Sequence, residues 1–153
     1  LTLIEQLTAL NKTGVLLGKV KGVTALTDVT GFGLLGHLIE MARGSRLSAE
    51  LFYSKLPLAQ GVQEHISQGI FPDATTRNWN AYSKEVKFEK GVPVREAFTL
   101  LRDPQTNGGL LISVKEEAVE EVKNLFRQNG LDKFTEPIGR MIADGEKTIE
   151  VKV

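Results

Sequence analysis

Cysteine is absent from the sequence. That excludes a disulfide framework, a thiolate metal site and a cysteine nucleophile, and it suits the cytoplasm, the expected location. A surplus of one charge is also absent, because 19 basic and 19 acidic residues cancel. A nucleic-acid groove or an anionic membrane surface needs a basic face, so neither partner is expected. No apolar run approaches the roughly 18 residues of a membrane span, and no signal peptide is visible. No repeat, low-complexity segment or interdomain linker breaks the chain. Methionine is missing from position 1; the chain opens at Leu1 inside an apparent helix. The expectation is therefore a piece of a longer protein. What is present is 153 residues, 41% of them hydrophobic, enough for one domain with its own core. That single domain is expected to span 1–153, with a leading helix over 1–14 and the core over 15–153.

The most informative stretch is Thr27-Asp-Val-Thr-Gly-Phe-Gly-Leu-Leu-Gly-His-Leu38. Val23, Ala25 and Leu26 read as a short strand. Thr27, Asp28 and Thr30 place two hydroxyls and a carboxylate where it ends. Gly31 and Gly33 permit a tight turn and close approach of backbone to a ligand. From Phe32 or Gly33 onward, Leu34, Leu35, Leu38, Ile39 and Ala42 recur at helical spacing. A strand, a glycine turn and a helix start together present free backbone N–H groups and a dipole that favour an anion. Asp28 would repel a phosphate unless a cation sits between them. The stretch therefore suggests metal plus phosphate; the plain alternative is a β–turn–α connection with Asp28 and Thr30 as caps.

Along the rest of the chain, Leu3, Ile4, Leu7 and Leu10 fit one helix face. Val15 to Val20 fits either a helical turn or a lead into the Val23 strand. Arg43-Gly44-Ser45 should close the central helix, and Leu47 to Tyr53 alternates as a half-buried strand. Leu58 to Gln68 suggests a helix. Phe71 to Ser83 suggests an irregular stretch pinned by Trp79, and long loops of this kind are often functional. Val86 and Phe88 suggest a strand, and Pro93 to Leu101 a helix. Asp103-Pro-Gln-Thr-Asn-Gly-Gly-Leu-Leu-Ile-Ser-Val114 follows: a helix stop, a turn at Asn107-Gly108-Gly109, then a strand. Glu116 to Gln128 is an amphipathic helix. Ile138–Ala143 and Thr148–Val153 read as two strands joined by Asp144-Gly145 as a hairpin. Strands and helices mix without strict βαβ alternation, so the class is α+β with a mixed sheet.

Gly31-Phe32-Gly33-Leu34-Leu35-Gly36 is literally GxGxxG, and Glu50 lies about where a ribose-binding acid belongs. The polar strand end, the uncompensated Asp28 and the missing βαβ repeats argue against a dinucleotide site. Nicotinamide binding is not expected.

The two strings TDVTGFGLLGHL and DPQTNGGLLI together resemble the C-terminal domain of selenophosphate synthetase, also called selenide, water dikinase. The likeness runs from about Val23 to the end of the chain. Wider relatives are aminoimidazole ribonucleotide synthetase, thiamine-monophosphate kinase and a hydrogenase-maturation protein. The resemblance implies a three-layer α/β/α domain, partly ferredoxin-like. It implies packing against an N-terminal ATP-binding domain in a parent that is a homodimer. The implied reaction turns ATP, selenide and water into selenophosphate, AMP and phosphate, with Mg2+ bridging the ATP phosphates to aspartates. Asp28 matches the aspartate that this domain lends. The other acidic ligands, and the reactive Cys or selenocysteine with its Lys, belong to the N-terminal domain. Asn107 stands where the family string usually has Ser.

On this reading Asp28 is a partial metal site, since magnesium takes a few hard carboxylates plus substrate phosphates. Thr27 and Thr30 orient Asp28, bind water on the metal or simply cap the turn. Gly31, Gly33, Gly108 and Gly109 bring backbone near the cleft, and Gln105 and Thr106 contact phosphate or product. The alternative for the second motif is a plain helix-to-strand turn. His37 reads as a structural helix residue and His65 as a solvated one. The rival functions are the same domain of another ATP-dependent relative, or a non-catalytic binding or assembly domain. No catalytic residue is expected within this chain alone.

Overall fold

The computed structural model describes residues 3–153. Leu1 and Thr2, part of the expected leading helix, lie outside the described residues. The helices are α1 (Leu3–Thr8), α2 (Thr13–Leu17), α3 (Gly33–Ser45), α4 (Val62–Ser67), α5 (Asp73–Tyr82), α6 (Val94–Leu101) and α7 (Val119–Gln128). The strands are β1 (Val23–Asp28), β2 (Leu47–Phe52), β3 (Val86–Phe88), β4 (Leu110–Val114), β5 (Gly139–Ala143) and β6 (Ile149–Lys152).

Two sheets form where a single one was expected. Four strands in the order β3-β6-β2-β5 make the mixed sheet: β6 runs parallel to both β2 and β3, and β5 antiparallel to β2. Strands β1 and β4 make a separate antiparallel pair. The period-2 alternation of β4 explains the separation. Leu111 joins the main core with Leu35, Leu38, Leu51, Leu101 and Val151, whereas Leu110, Ile112 and Val114 face a second core built on Leu17, Val20, Ala118 and Val122. A strand that buries both faces in this way layers helices on either side of it. Helix α3 packs on β2 and β6, and α2 on α7.

Three local expectations are corrected. The Asp144-Gly145 turn does not make a hairpin, because β2 lies between β5 and β6. Ile149 and Val151 are fully buried between β3 and β2, a position that pairing with the edge strand β5 would not provide. The Gly145 N–H donates to the Oγ of fully buried Ser48 at 3.0 Å, holding the split turn. The Leu58–Gln68 helix shrinks to α4, with Gly61 in the left-handed region at φ 80° just before it. Helix α3 ends at Ser45, within the stretch expected to close it, and left-handed Arg46 caps it. Phe71–Ser83 is mostly the regular helix α5, and Val15 falls in α2.

Candidate functional site

The two glycine motifs meet because β1 and β4 pair. Asp28, the last residue of β1, stands opposite Leu110, the first of β4. The ladder continues past both strand ends. The Val29 N–H donates to the Gly109 carbonyl at 2.9 Å, the Gly108 N–H to the Val29 carbonyl at 3.0 Å, and the Gln105 N–H to the Thr30 carbonyl at 3.0 Å. Gly108 is required there, since a β carbon would lie 2.8 Å from the Val29 carbonyl oxygen. Motif residues far apart in the chain therefore form one double turn at the end of a two-stranded sheet.

Helix α5 braces that double turn from behind. Thr75, Asn78 and Tyr82 are buried and recur at i, i+3 and i+7, so they share a face. The Thr75 hydroxyl donates to Asp103 Oδ1 at 3.3 Å. The Asn78 amide donates to the Gly31 and Arg102 carbonyls, each at 2.9 Å. The Tyr82 hydroxyl donates to the Phe32 carbonyl at 2.9 Å. Burial raises the Tyr82 pKa, so its phenol is a donor at neutral pH. Sequence reasoning missed all three residues. Their signal was a polar stripe at helical spacing. Trp79, on the same helix, packs its ring 4.6 Å from that of Phe98, a packing role.

Arg102 closes the site from the α6 side. It is 4% exposed, its guanidinium lies 3.4 Å over the Phe98 ring, and its Nε has no partner among the described residues. Desolvation lowers its pKa, although a guanidinium stays charged at any ordinary pH. Burial likewise raises the Asp103 pKa against the opposing hydrogen bonds from Thr75 and Gln105.

The other candidate residues separate into two groups. Asp28 is exposed at the strand end, and its carboxylate makes no hydrogen bond or ion pair among the described residues. The Thr27 hydroxyl donates to the Asp28 backbone carbonyl at 3.2 Å, so it does not orient the carboxylate. The Thr30 N–H donates to His37 Nε2 at 3.0 Å, which puts the ring proton on buried Nδ1. His37 thus holds the turn instead of facing a ligand. The Gln105 side chain donates to Asp103 Oδ2 at 2.9 Å and is occupied within its own turn. Thr106 is exposed. Gly31 and Phe32 are exposed at the head of α3, and among the described residues no acceptor takes their N–H groups.

The described residues contain no cluster of three or more His, Asp or Glu able to hold a metal. Asp28 is one hard oxygen donor with no basic group paired to it. That fits one ligand of a magnesium site whose remaining ligands are water, phosphate or carboxylates from elsewhere. An open, mainly apolar hollow of about 400 Å3 lies beside Asp103, lined by Val62, Ile66, Phe71 and exposed His65. Glu50 is paired with Arg140 and Lys152, not directed at the GxGxxG turn.

Residues 5–152 match the family model described as AIR synthase related protein, C-terminal domain. The chain belongs to this family. Among curated relatives, the selenide, water dikinase of Paraburkholderia xenovorans (strain LB400) is 47% identical over 97% of this chain, which covers 41% of that protein. The enzyme of the same name from Pseudomonas straminea is 46% identical over 95% of this chain and 40% of its own length. That of Haemophilus influenzae (strain ATCC 51907 / DSM 11121 / KW20 / Rd) is 42% identical over 94% of this chain and 40% of its own length. The chain thus spans about two fifths of the curated relatives it matches. The crystal structure of E. coli HypE, a hydrogenase maturation protein, aligns over 91% of this chain and 34% of its own, with a TM-score of 0.62 and 22% identity. That likeness establishes the fold: mixed α/β of the family's type. A mixed sheet was the expectation from the sequence, and four of the six strands form it.

Proposed function

We propose that this chain is the C-terminal part of a selenophosphate synthetase, which converts ATP, selenide and water into selenophosphate, AMP and phosphate. The observation that carries the reading is the double turn: one exposed carboxylate, Asp28, beside two glycine motifs and the start of a 13-residue helix. The names of relatives at 42% to 47% identity support the same reading.

In this proposal the chain's own residues bind and orient. The Gly31 and Phe32 N–H groups, with the α3 dipole behind them, receive phosphate oxygens. Gly31 and Gly109, with open space where a β carbon would stand, let the ligand approach the backbone, whereas Gly33 and Gly108 close the turn on Arg102 and Val29. Thr27, Thr30, Gln105 and Thr106 surround the turn. Asp28 supplies one magnesium ligand, and an N-terminal ATP-binding domain of the same protein supplies the rest. When bound, magnesium neutralises charge on the phosphate oxygens. Phosphoryl transfer is chiefly positioning and charge neutralisation, so a site with no nucleophile of its own is consistent with it. The parent is proposed to be a cytoplasmic homodimer, and the isolated chain to be inactive.

The test is selenide-dependent AMP formation by the full-length protein, compared with the chain alone. The expected result is turnover by the first and none by the second. ATP hydrolysis by the full-length protein that ignores selenide would redirect the assignment to another ATP-dependent member of the family.

A further inference from the structure

We propose that Asn78 is a positioning residue that orients the peptide between Gly31 and Phe32 so that its N–H faces the phosphate side of the site. Its consequence for catalysis rests on the phosphoryl-transfer reading above; its consequence for the turn does not.

The geometry is specific. Asn78 is 7% exposed, and its Nδ2 donates to two carbonyls at once, Gly31 and Arg102, each at 2.9 Å. Two carbonyl acceptors require a nitrogen with two protons, and a buried neutral side chain provides that only as a carboxamide. The pinned Gly31 carbonyl belongs to the same planar trans peptide as the Phe32 N–H. In such a unit C=O and N–H point in opposite directions. Holding the carbonyl inward on Asn78 therefore turns the N–H outward, at a position where Gly31 and Phe32 are exposed and no acceptor among the described residues takes that N–H.

The second bond sets spacing. Arg102 immediately precedes the Asp103-Pro104 stop, and its backbone packs on Gly33. The near side of the double turn is already joined by the bonds Val29–Gly109, Gly108–Val29 and Gln105–Thr30. Asn78 joins the far side, one helical turn from Thr75 and Tyr82, which anchor Asp103 and Phe32. A mere core filler would need no donors here. An apolar replacement would leave two carbonyls unpaired while the four-stranded sheet, which Asn78 does not touch by hydrogen bond, stayed intact.

The experiment compares Asn78→Leu, which keeps the branched heavy-atom shape without the donors, and Asn78→Ala in the full-length protein. Hydrogen exchange at the Val29, Gln105 and Gly108 amides should accelerate about ten-fold or more in both, on the scale of losing one buried hydrogen bond. The Ala49 and Phe52 amides of the mixed sheet should keep wild-type rates. In the AMP assay kcat should fall about ten- to a hundred-fold, the usual effect of removing a group that orients a ligand. The KM for ATP should stay within about two-fold, since most nucleotide contacts lie outside this chain. Unchanged turn exchange in Asn78→Leu would overturn the proposal. Equal acceleration everywhere, or failure of both variants to fold, would also overturn it by making Asn78 a general stability residue. If the wild-type protein makes no AMP, the proposed function fails, and the exchange rates still decide the role of Asn78.

Discussion

Gly33 rests directly on the backbone of Arg102: a β carbon at position 33 would lie 2.6 Å from the Arg102 carbonyl carbon. Gly33 also has φ 68°, the left-handed region. Both features belong to the contact that joins the start of α3 to the end of α6.

Gly33→Ala should therefore combine left-handed strain of about 1–2 kcal/mol with overpacking of about 1–3 kcal/mol. Gly31 has open space around it and no left-handed φ, so Gly31→Ala should change stability by less than about 1 kcal/mol. Urea midpoints of the two variants check the pair. Equal midpoints would contradict the packing described.

Asn107 accounts for a second long-range tie. Its amide donates to the carbonyl of Gln6 at 3.1 Å, in the last turn of α1, and to that of Ala9 at 2.7 Å, just past the helix. Serine, shorter and with one proton, cannot span both. Asn107→Ser should release α1 and speed limited proteolysis between α1 and α2. Global stability should fall by only about 1 kcal/mol. The comparison of cleavage rate with melting temperature separates a tether from a core contact.

The readable parts of this sequence were those written in local chemistry. Gly31, Gly33 and the 3.6-residue spacing of Leu34, Leu35 and Leu38 announce a turn into a helix. Asp103-Pro104 announces the end of α6, and Asn107-Gly108-Gly109 the turn before β4. The unreadable parts depend on partners far along the chain. Helix α5 has Thr75, Thr76, Asn78 and Asn80, poor helix formers, and gains its stability from Asp103, Gly31, Arg102 and Phe32. Asp144-Gly145 signals a hairpin by every local rule, yet the burial of Ile149 and Val151 decides that β2 enters between the strands. At the site, Asp28 and the glycines were legible as a cluster. That Gln105 serves its own turn followed only from its hydrogen bonds, and the bond from Thr30 gives His37, already read as structural, its place in the other turn.

Asp103 gives a pH signature. Burial is the main influence on its carboxyl and raises the pKa above the ordinary 3.8, with Thr75 and Gln105 opposing. A raised folded-state pKa contributes stability that is fully present below the unfolded value and is lost as pH rises through the folded value. Asp103→Asn removes this titration, and the Gln105 amide can rotate to present its oxygen to the new group. The stability of Asp103→Asn relative to wild type should therefore rise as pH increases from 3.8 through the folded-state pKa, and then level off. Urea midpoints of both proteins across that range check it; a difference that falls with pH would mean that the hydrogen bonds, not burial, dominate.

Asp28 is the exposed carboxylate at the end of β1. Asp28→Asn keeps shape and hydrogen-bonding capacity but removes the charge. A turn cap would tolerate the change, because Asp and Asn cap about equally well. The Asp28 carboxylate makes no bond to the turn among the described residues, so stability in metal-free buffer should be unchanged within about 0.5 kcal/mol. A magnesium ligand would not tolerate it. Selenide-dependent AMP formation by the full-length protein should fall by about a hundred-fold or more, the scale of losing about 3 kcal/mol of transition-state stabilisation. The magnesium concentration giving half-maximal rate should rise as well. Turnover and melting temperature measured on one preparation, with and without magnesium, separate the two roles. Near wild-type turnover at limiting magnesium would remove Asp28 from the metal site and leave the double turn as a phosphate cradle only.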